Sequence, residues 1–198
     1  MFTTAEVVLY FYLPAVGLVY LCAWLIYRRN RANRPRDLVP KERNNPYPGL
    51  RALALKAKRS QTDVAAISSP TEPWGVIMEW VLTSAVVTVV AFRDGSASAY
   101  FSTGGGFVGG QAYEPIRRAA KEAVSVVAKF QSEMELTTEF PLPRAGIVVF
   151  YALTDSGVFT TSTFEAGLKN KSDRLSELGD AMQAIITAYR TTPVGSVG

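Results

Sequence analysis

The sequence predicts an α+β fold. It is a two-layer sandwich of a mostly antiparallel five-stranded sheet, in the order β-β-β-α-β-β-α, with two helices on one face and one N-terminal transmembrane helix ahead of it. Three observations lead there. Two pairs of strand-like runs are joined by short turns containing Asp and Gly, the mark of hairpins. Two long stretches carry apolar residues at helical spacing. Residues 7–27 run for 21 positions without a charge. Because hairpins dominate the order, the sheet is expected to be antiparallel with its helices gathered on one side.

The four segments are taken in order: an anchor over 1–27, a basic, Pro-rich connector over 28–73, the α+β domain over 74–192, and a tail over 193–198. The charge-free run is long enough, at about 1.5 Å per residue, to cross a hydrocarbon core as a helix. Trp24 and Tyr27 fall at its end, where amphipathic aromatics favour the interface. Pro14 kinks such a helix, which lipid-embedded helices tolerate. A cleaved signal peptide fits poorly, because the positive charge follows the run instead of preceding it. Arg28, Arg29, Arg31, Arg34 and Arg36 come directly after. The positive-inside rule therefore places the C-terminal side in the cytoplasm.

The connector holds the chain's excess charge. Residues 28–60 carry 11 Lys and Arg against Asp37 and Glu42, whereas 74–198 carry 10 against 12 acids. The basic character belongs to this segment and not to the domain, so the high isoelectric point is no argument for nucleic acid. Six prolines break it up. Residues 50–59 can still form a short basic helix, with Leu50, Leu53, Ala54 and Ala57 on one face. Lys56, Lys58 and Arg59, together with Arg28, Arg29 and Arg31, are then candidates for contact with anionic lipid headgroups. Without interleaved aromatics or a reader motif, no nucleic-acid partner is expected.

In the domain, residues 74–82 alternate with Trp74, Val76, Met78, Trp80 and Leu82 on one face. Residues 85–92 are β-branched, Asp94–Gly95 suits a type I′ turn, and 96–103 return. Residues 113–134 form a helix with a stripe of Ile116, Ala120, Ala123, Val127, Phe130 and Met134. A strand over 146–153, a turn at 155–157 and a strand over 158–164 make the second hairpin. Ser172 is an N-cap candidate for a last helix whose stripe is Leu175, Leu178, Met182, Ile185, Ile186 and Tyr189.

These residues carry a resemblance. The hydrophobic first strand, the DG hairpin, the YFSTGGG stretch at 100–106 and the FYALTDSG stretch at 150–157 resemble a group of uncharacterised bacterial proteins, over about residues 74–190. The resemblance implies a bacterial source and no activity.

Five of the nine residues in 102–110 are glycine, between a strand and a helix. Gly104, Gly106 and Gly109 match G-x-G-x-x-G, and Ser102, Thr103, Gly104, Gly105, Gly106, Gly109 and Gly110 are the candidate ligand-binding residues, as an anion cradle at the helix start. Against a dinucleotide site, the preceding strand sits in a hairpin, and the next acid at a strand end, Asp155, lies 46 residues beyond Gly109 instead of about 20. A wide turn that lets the helix pack closely is the competing reading. The chain has no histidine, which removes the commonest general base and imidazole metal ligands, so Ser102 and Thr103 lack a partner to activate them. Its one cysteine, Cys22, cannot form an intrachain disulfide. The carboxylates Glu79, Asp94, Glu114 and Asp155 are scattered singly, without metal-ligand spacing. No catalytic residue, metal or cofactor is expected. The expectation is a non-enzymatic, membrane-anchored tether or accessory subunit with a protein partner; the alternative is a small-ligand or anion-binding module using the glycine loop.

Overall fold

The computed structural model describes residues 45–65 and 67–192. The anchor over 1–27, the first part of the connector and the tail over 193–198 lie outside these residues. The described chain runs α1 (Tyr47–Leu55), β1 (Gly75–Leu82), β2 (Ala85–Phe92), β3 (Ala97–Phe101), β4 (Gly106–Val108), α2 (Glu114–Phe130), β5 (Glu135–Thr137), β6 (Ile147–Thr154), β7 (Gly157–Phe164), α3 (Glu165–Lys169) and α4 (Ser176–Thr191). The seven strands make one antiparallel sheet in the order β4-β3-β2-β1-β6-β7-β5.

The α+β class and the two hairpins match the sequence pattern, but the expected sheet of five strands and two helices is corrected to seven strands and four helices among the described residues. The two additional strands are three residues each. β4 lies inside the glycine-rich loop and β5 inside the polar stretch after α2; three residues are too few to show an alternating period. No described helix is long and apolar enough to cross a membrane, and the expected spanning run lies outside the described residues.

The two-layer expectation is corrected as well, because both faces of the sheet are covered. On one face, Val76, Met78 and Trp80 of β1, Val87 and Val89 of β2 and Phe150 of β6 pack under α2 and α4. Those helices supply Ile116, Ala120, Ala123, Val127, Leu178, Met182 and Ile185. On the other face, Ile77, Val86, Val90, Tyr100, Tyr151 and Leu153 pack with Tyr47, Ala54 and Leu55 of α1. β1 therefore has buried residues on both sides, which is why its sequence reads as a nearly continuous apolar run. Trp74, expected beside Met78 and Trp80, joins the α1-side core and stacks on Phe92 instead. The last helix begins four residues after the Ser172 cap candidate. Asp173 Oδ1 takes the N–H of Leu175 at its entry.

The glycine loop shapes two junctions. Gly104 N–H donates to Phe101 O, Phe101 N–H donates to Gly105 O, and β4 then pairs back on β3. A Cβ on Gly106 would stand 2.2 Å from Ala99 O, so the return strand can approach only because that carbon is missing. At Gly110 a Cβ would meet Ile116 Cγ2 at 2.4 Å and the Tyr189 hydroxyl at 2.6 Å, so this position lets the chain pass between α2 and α4. Gly106→Ala and Gly110→Ala are each expected to cost about 1–3 kcal/mol through overpacking and strain. Urea denaturation of each variant against the parent checks this, and unchanged midpoints would contradict the close-approach account.

Candidate functional site

The most concentrated chemistry lies on the α1 side of the sheet, and it begins with one carboxylate. Glu79 sits mid-strand in β1 between Ile77 and Val81, with Thr88 of β2 and Val149 of β6 across from it. Strand alternation turns it toward the α1-side core, where it is 0 % exposed. A charge in that position requires partners. Arg51, one helical turn into α1 from Tyr47, supplies them: Nε donates to Glu79 Oε1 and Nη2 donates to Oε2, each at 2.7 Å. This fork-on-carboxylate geometry is the strongest side-chain pairing available to the two groups.

Two more residues complete the network. Thr88 Oγ1 donates to Glu79 Oε1 at 2.8 Å. Its only proton is thus engaged, so the Tyr47 hydroxyl, 3.0 Å away, donates to Thr88. Arg51 Nη2 also donates to the carbonyls of Phe140 and Pro141, at 3.0 and 3.2 Å. One guanidinium therefore joins α1, β1 and the 138–145 segment. Burial alone would lower the Arg51 pKa, but the Glu79 hydrogen bonds and charge outweigh it and hold the guanidinium above its ordinary value. Burial, followed by the Glu79 charge, pushes Tyr47 up to about 12 and Tyr151 up to about 12.

Beside this network lies a groove of 680 Å³. Its floor is the face of β6 and β7 carrying Val149, Tyr151, Thr160 and Ser162, and one wall is formed by Pro141, Leu142, Pro143 and Arg144. Glu133, Glu135 and Glu139 stand on its rim, and Glu133 pairs with Arg174. A second cavity of 250 Å³ opens at the other face of β7, between Phe130, Met134, Thr163 and Asp173. Neither cavity is lined by any residue of 102–110. No group of three or more acidic or cysteine side chains able to hold a metal occurs among the described residues.

The residues singled out in the sequence fall in three places. Ser102 is buried at the end of β3. Its hydroxyl accepts the N–H of Val86 at 2.8 Å, its own N–H donates to Val86 O, and its carbonyl takes Asn45 Nδ2. Thr103 is exposed, and Gly104, Gly105, Gly106 and Gly109 take positive φ as the chain turns. Gly110 is buried against α2 and α4. Trp24, Tyr27, Arg28, Arg29 and Arg31 lie outside the described residues. Lys56 and Lys58 are exposed beyond the end of α1. Arg59 reaches the β6–β7 turn, where its guanidinium grips both oxygens of Asp155.

The α1 helix was expected inside the connector, lying on lipid with Leu50, Leu53, Ala54 and Ala57 sharing a face. In the structure Leu50, Ala54 and Ala57 do share a face, and that face is turned to the α1-side core of the sheet. The helix docks on the sheet through Tyr47, Arg51, Ala54 and Leu55, while Leu53 is 71 % exposed. The physical reason is that Glu79 demands a buried cation, and Arg51 supplies it only if α1 lies down on the sheet. The Arg51–Glu79 pairing itself was not read from the sequence. Its one visible signal is a single carboxylate in the middle of the apolar run GVIMEWVL.

Comparisons with protein-family models, with curated proteins and with solved structures find no match to this chain, so the resemblance to a bacterial group rests on its motifs alone.

The buried phenols give this face a pH signature. Tyr47 and Tyr151, and Tyr189 between α4 and Gly110, keep their protons up to about pH 12 in the fold, against 10.0 when unfolded. Between those values the unfolded chain ionises and the folded one does not, so raising the pH favours unfolding. Stability is expected to be full below pH 10 and to fall steadily toward pH 12. Urea midpoints taken across this window, with phenolate absorbance followed in parallel, check it. Midpoints that stay level throughout would contradict the burial of these hydroxyls.

Proposed function

We propose that this chain is a non-enzymatic, single-pass membrane-anchored protein. Its α+β unit acts on the cytoplasmic side as a tethering or accessory subunit for a protein partner. The anchoring rests on the 21-residue charge-free run over 7–27 and the five arginines that follow it. The observation that carries the accessory role is the way the polar groups around Glu79 and at Ser102 are engaged. Both Glu79 oxygens, the Thr88 proton, the Tyr47 hydroxyl and the Arg51 fork bind one another, and the buried Ser102 hydroxyl holds backbone. A catalytic group needs a free lone pair or proton aimed at a substrate. These groups are satisfied internally, which supports a structural use.

Alkaline carbonate extraction of membranes, followed by protease treatment of sealed and permeabilised cells, tests the reading. The chain should stay with the membrane after extraction. The 45–192 unit should survive external protease and be digested only after permeabilisation. Release into the supernatant, or digestion in sealed cells, would overturn the anchoring or its orientation.

A further inference from the structure

The 138–145 segment walls the groove, yet it is weakly tied to the sheet. Among the described residues, its polar links to other elements are the two Arg51 bonds to Phe140 O and Pro141 O. At its start the segment leaves β5, where Thr137 pairs with Val158 of β7 and its side chain bonds Glu139, and at its end Ile147 N–H donates to Arg144 O. Its apolar hold is the ring of Phe140, edge-on to Tyr151 at 5.7 Å, and the buried Pro143. Arg51 itself is placed by α1, whose polar anchors are Tyr47 on Thr88 and Asn45 on the Ser102 carbonyl.

Undocking α1 therefore withdraws the guanidinium from Glu79 and from both wall carbonyls at once. The wall is left with one ring contact and a proline. Elements that share their anchor open together, at a free energy below that of the whole fold. By linkage, the docking of either one favours the docking of the other by the same free energy. We propose that α1 and the 138–145 segment open as one unit, so that the docking of α1 sets the position of the wall of the 680 Å³ groove, with Arg51 as the shared latch. Docked, α1 fixes the wall. Undocked, it frees Pro141, Leu142 and Arg144 and exposes the groove floor at Tyr151. The device does not depend on the membrane reading; it would let the state of the chain just ahead of α1 set access to the groove.

Cysteine protection tests this in the full chain. Cys22 is the only cysteine, so Cys22→Ser provides a silent background. Thiol-labelling rates are measured with single reporters at Ala54→Cys in α1, Pro143→Cys in the wall and Ala152→Cys in the sheet, all buried positions. Positions 54 and 143 should share one protection factor, well below that of position 152. Tyr47→Phe removes a hydroxyl that touches Thr88 and not the wall. It should speed labelling at 54 and 143 by the same factor, about fivefold for one lost hydrogen bond. Faster labelling at 54 with 143 unchanged would overturn the proposal, as would protection of all three positions to the same level. A reverse test avoids buried reporters. Phe140→Leu removes the wall's ring contact with Tyr151 and leaves the Arg51 fork in place, and hydrogen exchange of the α1 amides should quicken with it; unchanged exchange in α1 would equally overturn the shared latch.

Discussion

The buried ion pair between Arg51 and Glu79 is the constraint from which the α1 side of this protein follows. Glu79 is wholly buried in the central strand of the sheet. Removing a carboxylate from water costs several kcal/mol even after relaxation, roughly, unless the charge is matched and its lone pairs are filled. Arg51 does both with two 2.7 Å bonds, and Thr88 fills another lone pair. The requirement dictates where α1 lies. It also dictates that α1 sits with Tyr47 and Leu55 inward and Leu53 outward. An apolar pair could fill the same space at less cost than either charge left alone. What the charged pair adds is geometric definition, since only one placement of α1 satisfies the fork.

The opposite face relies on shape instead of charge. α2 and α4 cover β1, β2 and β6 with aliphatic side chains and crowd Gly110, while the backbone of β3 crowds Gly106, so that neither position admits a side chain. Phe107 stacks on Tyr189 there, and the Tyr189 hydroxyl donates to Ala97 O at 2.5 Å. The glycine-rich loop is thus a packing device at this junction. The β7–β5 edge is left less covered, with no fully buried residue along β7, and that is where the groove opens.

Much of the scaffold was legible from residues alone, for physical reasons that also mark where reading stops. The run at 85–92 coincides with β2, because eight β-branched and apolar residues between turns leave little alternative. The helix around 116–127 was legible from its stripe, since Ile116, Ala120, Ala123 and Val127 repeat at the helical period and are all buried. The short helix containing Arg51 was also visible, but not its partner. Arg51 looks like one more cation in a basic segment, and its charge is matched 28 residues later by an acid hidden in an apolar strand. Pairings of that kind depend on the fold and have no local period. β4 and β5 escaped for a different cause, being too short to alternate. Ser102 drew notice as a possible nucleophile because a hydroxyl beside glycines suggests a site; only the fold shows it bound to Val86 N–H.

The account's central claim is that Arg51 and Glu79 act as one unit in holding α1 on the sheet. A double-mutant cycle with Arg51→Met, Glu79→Leu and the two together, read by urea denaturation, tests it most directly. Each single change leaves a buried charge unmatched and should cost about 3–5 kcal/mol, while the double change should cost less than either alone. Single losses below about 1 kcal/mol that simply add would be the behaviour of an exposed surface pair, and would contradict the claim.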